Sequence, residues 1–250
     1  MEQGLGRAMF MKRCTSTRIF LVFACLLIAL NPVLSAPARA ADPVTVPAAA
    51  GWKEYTPGRF NGLADRKVEI GADGIKATVT SRPGTGVVWE KKGTWDSSKE
   101  PVISLEFTFA ETNASSDDYR QFHARFPVSV TAVFGKDRRS LIWRTRIAGF
   151  FRKIFHGFPP DGVRLTYAIS NRAPVGSMYR LGDEETVFIL AGDEEKGKKI
   201  QYRRNLKEDF IAAYGRAPSG PITAILARVD RPRGERGPAA ASMIVTLPGP

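Results

Sequence analysis

Few residues of this chain have the type and spacing to do chemistry, and Asp117, Asp118 and His123 come closest. A histidine on a strand beside two carboxylates is the material of an acid–base pair. No third group is identifiable to orient the ring, so the expectation is a surface histidine beside a turn. His156 follows a basic segment and is expected to meet the carbonyl groups that end a helix. Asp183-Glu184-Glu185 and Asp193-Glu194-Glu195 flank one strand. Such runs hold a hard cation when ligands alternate along a loop. These do not alternate, and solvated turns are expected. The sequence has no Gly-x-Ser-x-Gly elbow, no His-Glu-x-x-His helix and no phosphate-cradling glycine loop. No catalytic residue, no metal and no cofactor is therefore expected.

The elements that must position these residues begin after a leader. Arg7, Lys12, Arg13 and Arg18 precede an unbroken apolar run, Ile19 to Leu30. Asn31-Pro32 breaks it, and Ala38-Arg39-Ala40 offers small residues to a signal peptidase. The run is shorter than the roughly 20 residues that span a bilayer, so residues 1–40 are expected to be a cleaved signal peptide. Both cysteines, Cys14 and Cys25, lie in that segment. The remaining chain then has no disulfide, thiolate site or cysteine nucleophile. Its charge falls from +12 to +8, because the leader holds five basic residues and one acid. A moderately basic exported chain favours an envelope glycan or an anionic surface as partner. Nucleic acid is not expected, since no zinc-finger, helix-turn-helix or RNA-binding signature is present. The expected location is the periplasm by default, or the secreted medium.

Residues 41–50 read as a Pro/Ala/Val linker, and 51–250 as one domain. Its texture is β, with short alternating runs separated by Gly, Pro, Asp and Asn. Ile75, Ala77 and Val79 alternate with polar residues, as do Ile103, Leu105, Phe107 and Phe109. Phe122, Ala124, Phe126, Val128 and Val130 are expected to share one face, with Pro127 placing that run at an edge or a bulge. Further strands are expected at Val163–Ile169, Thr186–Ala191, Lys198–Arg203, Ile222–Val229 and Ser242–Leu247. Together they predict a mainly β fold, a β-sandwich with two helices packed on it. One helix starts at Asn205-Leu-Lys-Glu208, which has the form of a capping box, and stops at Gly215. Its apolar face is Leu206, Phe210, Ala213 and Tyr214. The second runs from about Leu141 to Phe155, with Trp143, Ile147, Phe150, Phe151 and Ile154 on one stripe and Arg144, Arg152 and Lys153 off it. That pattern fits a lid on the sandwich, or a helix at a membrane surface.

Four blocks resemble the exported bacterial family known as the domain of unknown function 3047 family. They are Asp117-Asp118-Tyr119, Leu165 to Gly176 with Ser170-Asn171-Arg172-Ala173-Pro174-Val175-Gly176 at its end, Arg203 to Gly215, and the strand Ile222 to Val229. The resemblance implies a jelly-roll sandwich like those of carbohydrate-binding modules, with no established activity. The sequence departs from the family after Val229, where an acidic, Asn-containing segment is replaced by Asp230-Arg231-Pro232-Arg233-Gly234-Glu235-Arg236. Tyr167-Ala168-Ile169 likewise replaces an aromatic-rich Tyr-x-Trp.

The functional expectation is a non-catalytic, exported binding protein for a glycan or another cell-envelope component. The alternatives are a hydrolase or lyase of envelope polymers, centred on Asp117, Asp118 and His123, and a membrane-surface structural protein. The expected ligand-binding residues are Asp117, Asp118, His123, Asn171, Arg204 and Asp230, with Tyr119 and Tyr167 placed to stack on sugar rings.

Overall fold

The structure is a computed structural model of the chain. It describes residues 51–57, 61–99, 101–113, 126–135, 162–181 and 183–249. The chain divides into two units, Met1–Thr45 and Val46–Pro250, and every described residue belongs to the second.

Thirteen strands are formed by the described residues. The first six are β1 (Trp52–Tyr55), β2 (Gly62–Leu63), β3 (Asp65–Ile70), β4 (Gly74–Ser81), β5 (Thr85–Trp95) and β6 (Val102–Phe109). Then come β7 (Val128–Phe134), β8 (Val163–Ile169), β9 (Met178–Arg180), β10 (Glu185–Ala191), β11 (Ile200–Asn205), β12 (Ile222–Arg231) and β13 (Ala239–Thr246). The larger, eight-stranded sheet runs β1-β5-β12-β7-β8-β10-β9, with β2 also on β5. The smaller, five-stranded sheet runs β11-β6-β13-β4-β3. Most pairings are antiparallel; β8–β10 and β2–β5 are parallel.

The sheets pack through one apolar core. Ile75, Ala77 and Val79 enter it from β4, Ile103, Leu105, Phe107 and Phe109 from β6, and Leu165, Tyr167 and Ile169 from β8. In the smaller sheet the period-two pattern is clean, because its other face meets solvent: Lys76, Thr78 and Thr80 on β4 are exposed. The larger sheet is different. Val87, Val88 and Trp89 are consecutive and fully buried, so both of its faces are shielded there. A strand buried on both faces loses the alternation that identifies it in a sequence, and β5 was not expected.

The helix after Asn205 forms as α1 (Leu206–Tyr214). Asn205 Oδ1 accepts from the backbone N–H of Lys207 at 3.1 Å and of Glu208 at 3.4 Å. Gly215 ends the helix in the left-handed region, at φ 69°, where a side chain would be strained. Leu206, Phe210 and Ala213 are buried, and the Phe210 ring lies 4.6 Å from that of Phe134.

Two expectations change. Val128 and Val130 face the core, but Phe126 joins a separate cluster with Ala168, Val187 and Ile189, so the phase breaks at Pro127. Strand β7 is central, between β12 and β8, and Pro127 lies just before its start, where its missing N–H costs no ladder bond. Of the two expected helices, α1 is the α-helix among the described residues; the segment Leu141 to Phe155 lies outside them.

Candidate functional site

Asp230 closes β12, and Asn171 follows β8 by two residues. The β7 residues Val128 and Ser129 pair with Val229 and Ala168, so both residues stand at the same end of the larger sheet, with one strand between them. Asp117, Asp118 and His123 lie outside the described residues. The flanking residues Asn113 and Phe126 are described. Asn113 is fully buried, and its Nδ2 donates to the Asp230 carbonyl at 3.0 Å.

Asp230 is an anchor. Its side chain is fully buried and accepts from Arg228 Nη2 at 2.5 Å. Asn61 Nδ2 reaches Asp230 Oδ1 at 3.5 Å and donates to the Pro57 carbonyl at 2.6 Å. Two segments distant in sequence thus meet at Asp230, Asn61 at its carboxylate and Asn113 at its backbone carbonyl. The next residue staples the following loop: Arg231 donates to the carbonyls of Gly237, Arg236 and Thr112. One of the arginines replacing the family's acidic residues therefore holds backbone. Asn171 differs, since its Oδ1 is buried and accepts no hydrogen bond among the described residues.

Arg204 is not brought to that end. It projects from β11 between the sheets and donates to Asp209 through Nε at 2.9 Å and Nη2 at 2.5 Å. Its guanidinium lies over the rings of Tyr167 and Phe188, at 5.7 and 5.3 Å. Tyr167 is fully buried, stacks on Phe188 and donates to Asp209 Oδ2 at 2.6 Å. Burial, then the Asp209 charge, pushes its phenol well above the ordinary range. Fully buried and with its hydroxyl bonded to Asp209, Tyr167 offers no ring to a sugar. Its place is structural, docking α1 between the sheets.

The acidic runs resolve into local pairs. Glu185 accepts from Thr166 Oγ1 at 2.8 Å and pairs with Arg164 at 3.1 Å. Asp193 accepts from Thr112 and pairs with Lys196, and Glu195 Oε2 accepts from the Gly192 N–H. Among the described residues, no group of three or more metal-ligating side chains gathers.

A second polar surface, which sequence reasoning missed, lies on the outer face of the larger sheet. Register places Tyr55, Val88, Arg228, Ser129 and Ala168 in one row across five strands. The next row is Lys53, Glu90, Leu226, Thr131 and Thr166. Glu90, Ser129 and Thr166 are buried beside buried Val88, Val133 and Leu226. Thr131 and Thr166 share a hydrogen bond at 2.9 Å. Glu90 keeps only 9% of its side-chain surface, yet the nearest cation, Lys92 Nζ, is 3.9 Å away and largely exposed. Burial raises the Tyr55 phenol, Glu90 raises it further, and Arg228 opposes them, so the three groups share one field. The available signal was a single acid directly after Val87-Val88-Trp89, and a single arginine in the apolar run of β12.

The family described as Protein of unknown function (DUF3047) matches residues 73–231. No curated protein matches the chain. Among solved structures, a thermostable cellulase derived from the Cel12A cellulase of Rhodothermus marinus is 10% identical, covering 78% of this chain and 99% of its own, with a TM-score of 0.41. A family 11 carbohydrate-binding module of Clostridium thermocellum is 11% identical, covering 79% and 88%, with a TM-score of 0.33. A low-affinity xylan-binding module from Roseburia intestinalis is 12% identical, covering 79% and 96%, with a TM-score of 0.27. Identities this low assign no activity.

Proposed function

This chain belongs to the DUF3047 family, whose description assigns no activity, and on that footing we propose that it is an exported, non-catalytic protein that binds a glycan or another cell-envelope component. The observation that carries the reading is the outer face of the larger sheet, where Tyr55, Glu90, Arg228, Ser129 and Thr131 are interleaved with Val88, Leu226 and Val133. Partly exposed Tyr55, Thr131 and Arg228, fixed over a buried apolar layer, suit a ligand with both C–H faces and hydroxyls, as a sugar has. The finer fold assignment, a jelly roll like those of carbohydrate-binding modules, is supported by strands that switch sheets in succession: β4, β5, β6 and β7 alternate, as do β11, β12 and β13.

Among the described residues, the placement of the carboxylates on this face supports binding without catalysis. Glycoside hydrolysis uses two carboxyl groups roughly 5–10 Å apart. Glu90 and Glu185 are separated by four strand spacings, about 19 Å at roughly 4.8 Å each. Asp230, four residues along from Glu90's level, is about 14 Å away at ~3.4 Å per residue, and Arg228 engages it.

Glycan arrays and purified envelope fractions test the reading: binding without turnover is expected. Absence of binding together with robust turnover of a polysaccharide would overturn it. Export is proposed from the leader, with the periplasm as the location. Mass spectrometry of the protein from fractionated cells should find an N-terminus at Ala41; an intact residue 1–40 segment on a cytoplasmic protein would refute export.

A further inference from the structure

We infer that Glu90 is the hydrogen-bond acceptor of a subsite on the outer face of the larger sheet, and that this subsite takes a vicinal diol of a neutral glycan. The subsite rests on the binding function proposed above and names its ligand class and its contact.

Glu90 lies on β5 between Lys53 of β1 and Leu226 of β12, its register partners. Its residue exposure is 7%, and among the described residues no hydrogen bond reaches its carboxylate. Buried polar groups almost always have hydrogen-bond partners, and a shielded carboxylate needs them most. Two of the three other strongly buried carboxylates show what partnering looks like, and the third, Glu235, is partnered as well. Asp209 is held by Tyr167 and Arg204, and Asp230 by Arg228 and Asn61. Glu90, unlike Asp209 and Asp230, lacks such donors.

The missing donors have a recognisable chemistry. A carboxylate presents two acceptor oxygens side by side, and adjacent hydroxyls on a sugar ring present two donors at matching spacing. Charge narrows the choice. Lys53, Lys92 and Arg228 flank Glu90, which disfavours a cationic ligand. An anionic ligand would face Glu90 itself, while the arginines set into this face, Arg228 and Arg164, are already engaged by Asp230 at 2.5 Å and by Glu185 at 3.1 Å. A neutral polyol avoids both penalties. Apolar contact beside it comes from the partly exposed ring of Tyr55, which is backed by the buried cluster Val88, Val133, Ala224 and Leu226. Such a wall suits the C–H face of a pyranose.

The test uses the full exported chain, wild type and Glu90→Gln, titrated calorimetrically with neutral polysaccharides (dextran, soluble β-glucan, xylan) and anionic ones (alginate, polygalacturonate). Glutamine keeps the shape but replaces one acceptor oxygen with a donor amide. Wild type is expected to bind at least one neutral polysaccharide, and Glu90→Gln to weaken that binding tenfold or more. The melting temperature of Glu90→Gln should stay level or rise, because a shielded charge is removed. Equal binding by both proteins would overturn the subsite and leave the binding function standing. Binding confined to the anionic set would do the same. A fall in melting temperature of several degrees in Glu90→Gln would mark Glu90 as structural and overturn the subsite by a readout independent of ligand. If wild type binds no polysaccharide and no envelope fraction, the proposed function itself fails.

Discussion

Asp209 and Glu90 are nearly equally buried, at 8% and 7% exposure, and have opposite surroundings. Asp209 sits between the sheets and accepts one hydrogen bond from Tyr167 and two from Arg204. Glu90 sits on the outer face of the larger sheet, with its nearest cation at 3.9 Å. The first carboxylate completes a network that docks α1 onto the sandwich. The second keeps its acceptor capacity. Burial alone therefore does not distinguish a structural acid from a binding one; the count of donors does.

The comparison can be broken from either side, and the helix that carries Asp209 gives the largest effect. Phe210→Ala removes the buried ring that packs on Phe134 and Tyr214. It should lower unfolding free energy by about 3–5 kcal/mol in urea titrations. A loss below 1 kcal/mol would mean that α1 is not docked through this ring.

Asp209→Ala should cost about 3 kcal/mol, toward the low end for a broken buried pair because Arg204 keeps 28% of its side-chain surface exposed. The same urea titration checks it. Circular dichroism should show the strands retained. An unchanged midpoint would remove the structural half of the comparison.

Tyr167→Phe deletes one donor to Asp209 and should cost about 1.5 kcal/mol at pH 8. It also predicts a pH dependence. The folded phenol is raised above its ordinary 10.0, so its contribution is fully present below pH 10 and is lost as pH rises toward the folded value. Tyr202 and Tyr214 are raised in the same direction. Wild-type stability should therefore decline above pH 10, and Tyr167→Phe should decline less steeply across that range. Parallel slopes in the two proteins would show that the phenol is not shielded.

Asn205→Ala should cost about 1 kcal/mol by removing the acceptor for two backbone donors at the start of α1, with helix melting as the check. The smallest stability effect should come from the outer face. Glu90→Gln should change unfolding free energy by less than about 0.5 kcal/mol, or raise it, whereas Asp209→Asn should lower it by about 2 kcal/mol. Equal losses in this isosteric pair would erase the distinction.

Shielding explains part of what could be read from the sequence; β8, β10 and β12 are shielded on both faces and were still legible as apolar, β-branched runs between turn residues. Strands β4, β6 and β13 were legible because one face of the smaller sheet meets solvent and leaves polar residues such as Lys76, Thr78 and Ser242 at alternate positions. Strand β8 was found at its bounds, and α1 from Asn205 to Gly215, since caps and stops are local chemistry. Strand β5 was missed, although it pairs with β1, β2 and β12. Its run Val87-Val88-Trp89-Glu90 has no period, because both sides of the sheet are shielded there.

Of the expected site, Asn171 lies in a block that carries the family resemblance and Asp230 in the segment where the sequence departs from it, and both stand at one end of the larger sheet. Arg204, which lies in the block Arg203 to Gly215 that also carries the resemblance, was expected beside them. Only the tertiary structure sends Arg204 between the sheets to Asp209, five residues away along the chain but in a different element. Family, β texture and caps are properties of neighbours in sequence, and the amino-acid order determined them. Which buried carboxylate has donors depends on strands brought together across the sheets, so Glu90 became visible only when β1, β5 and β12 were laid side by side.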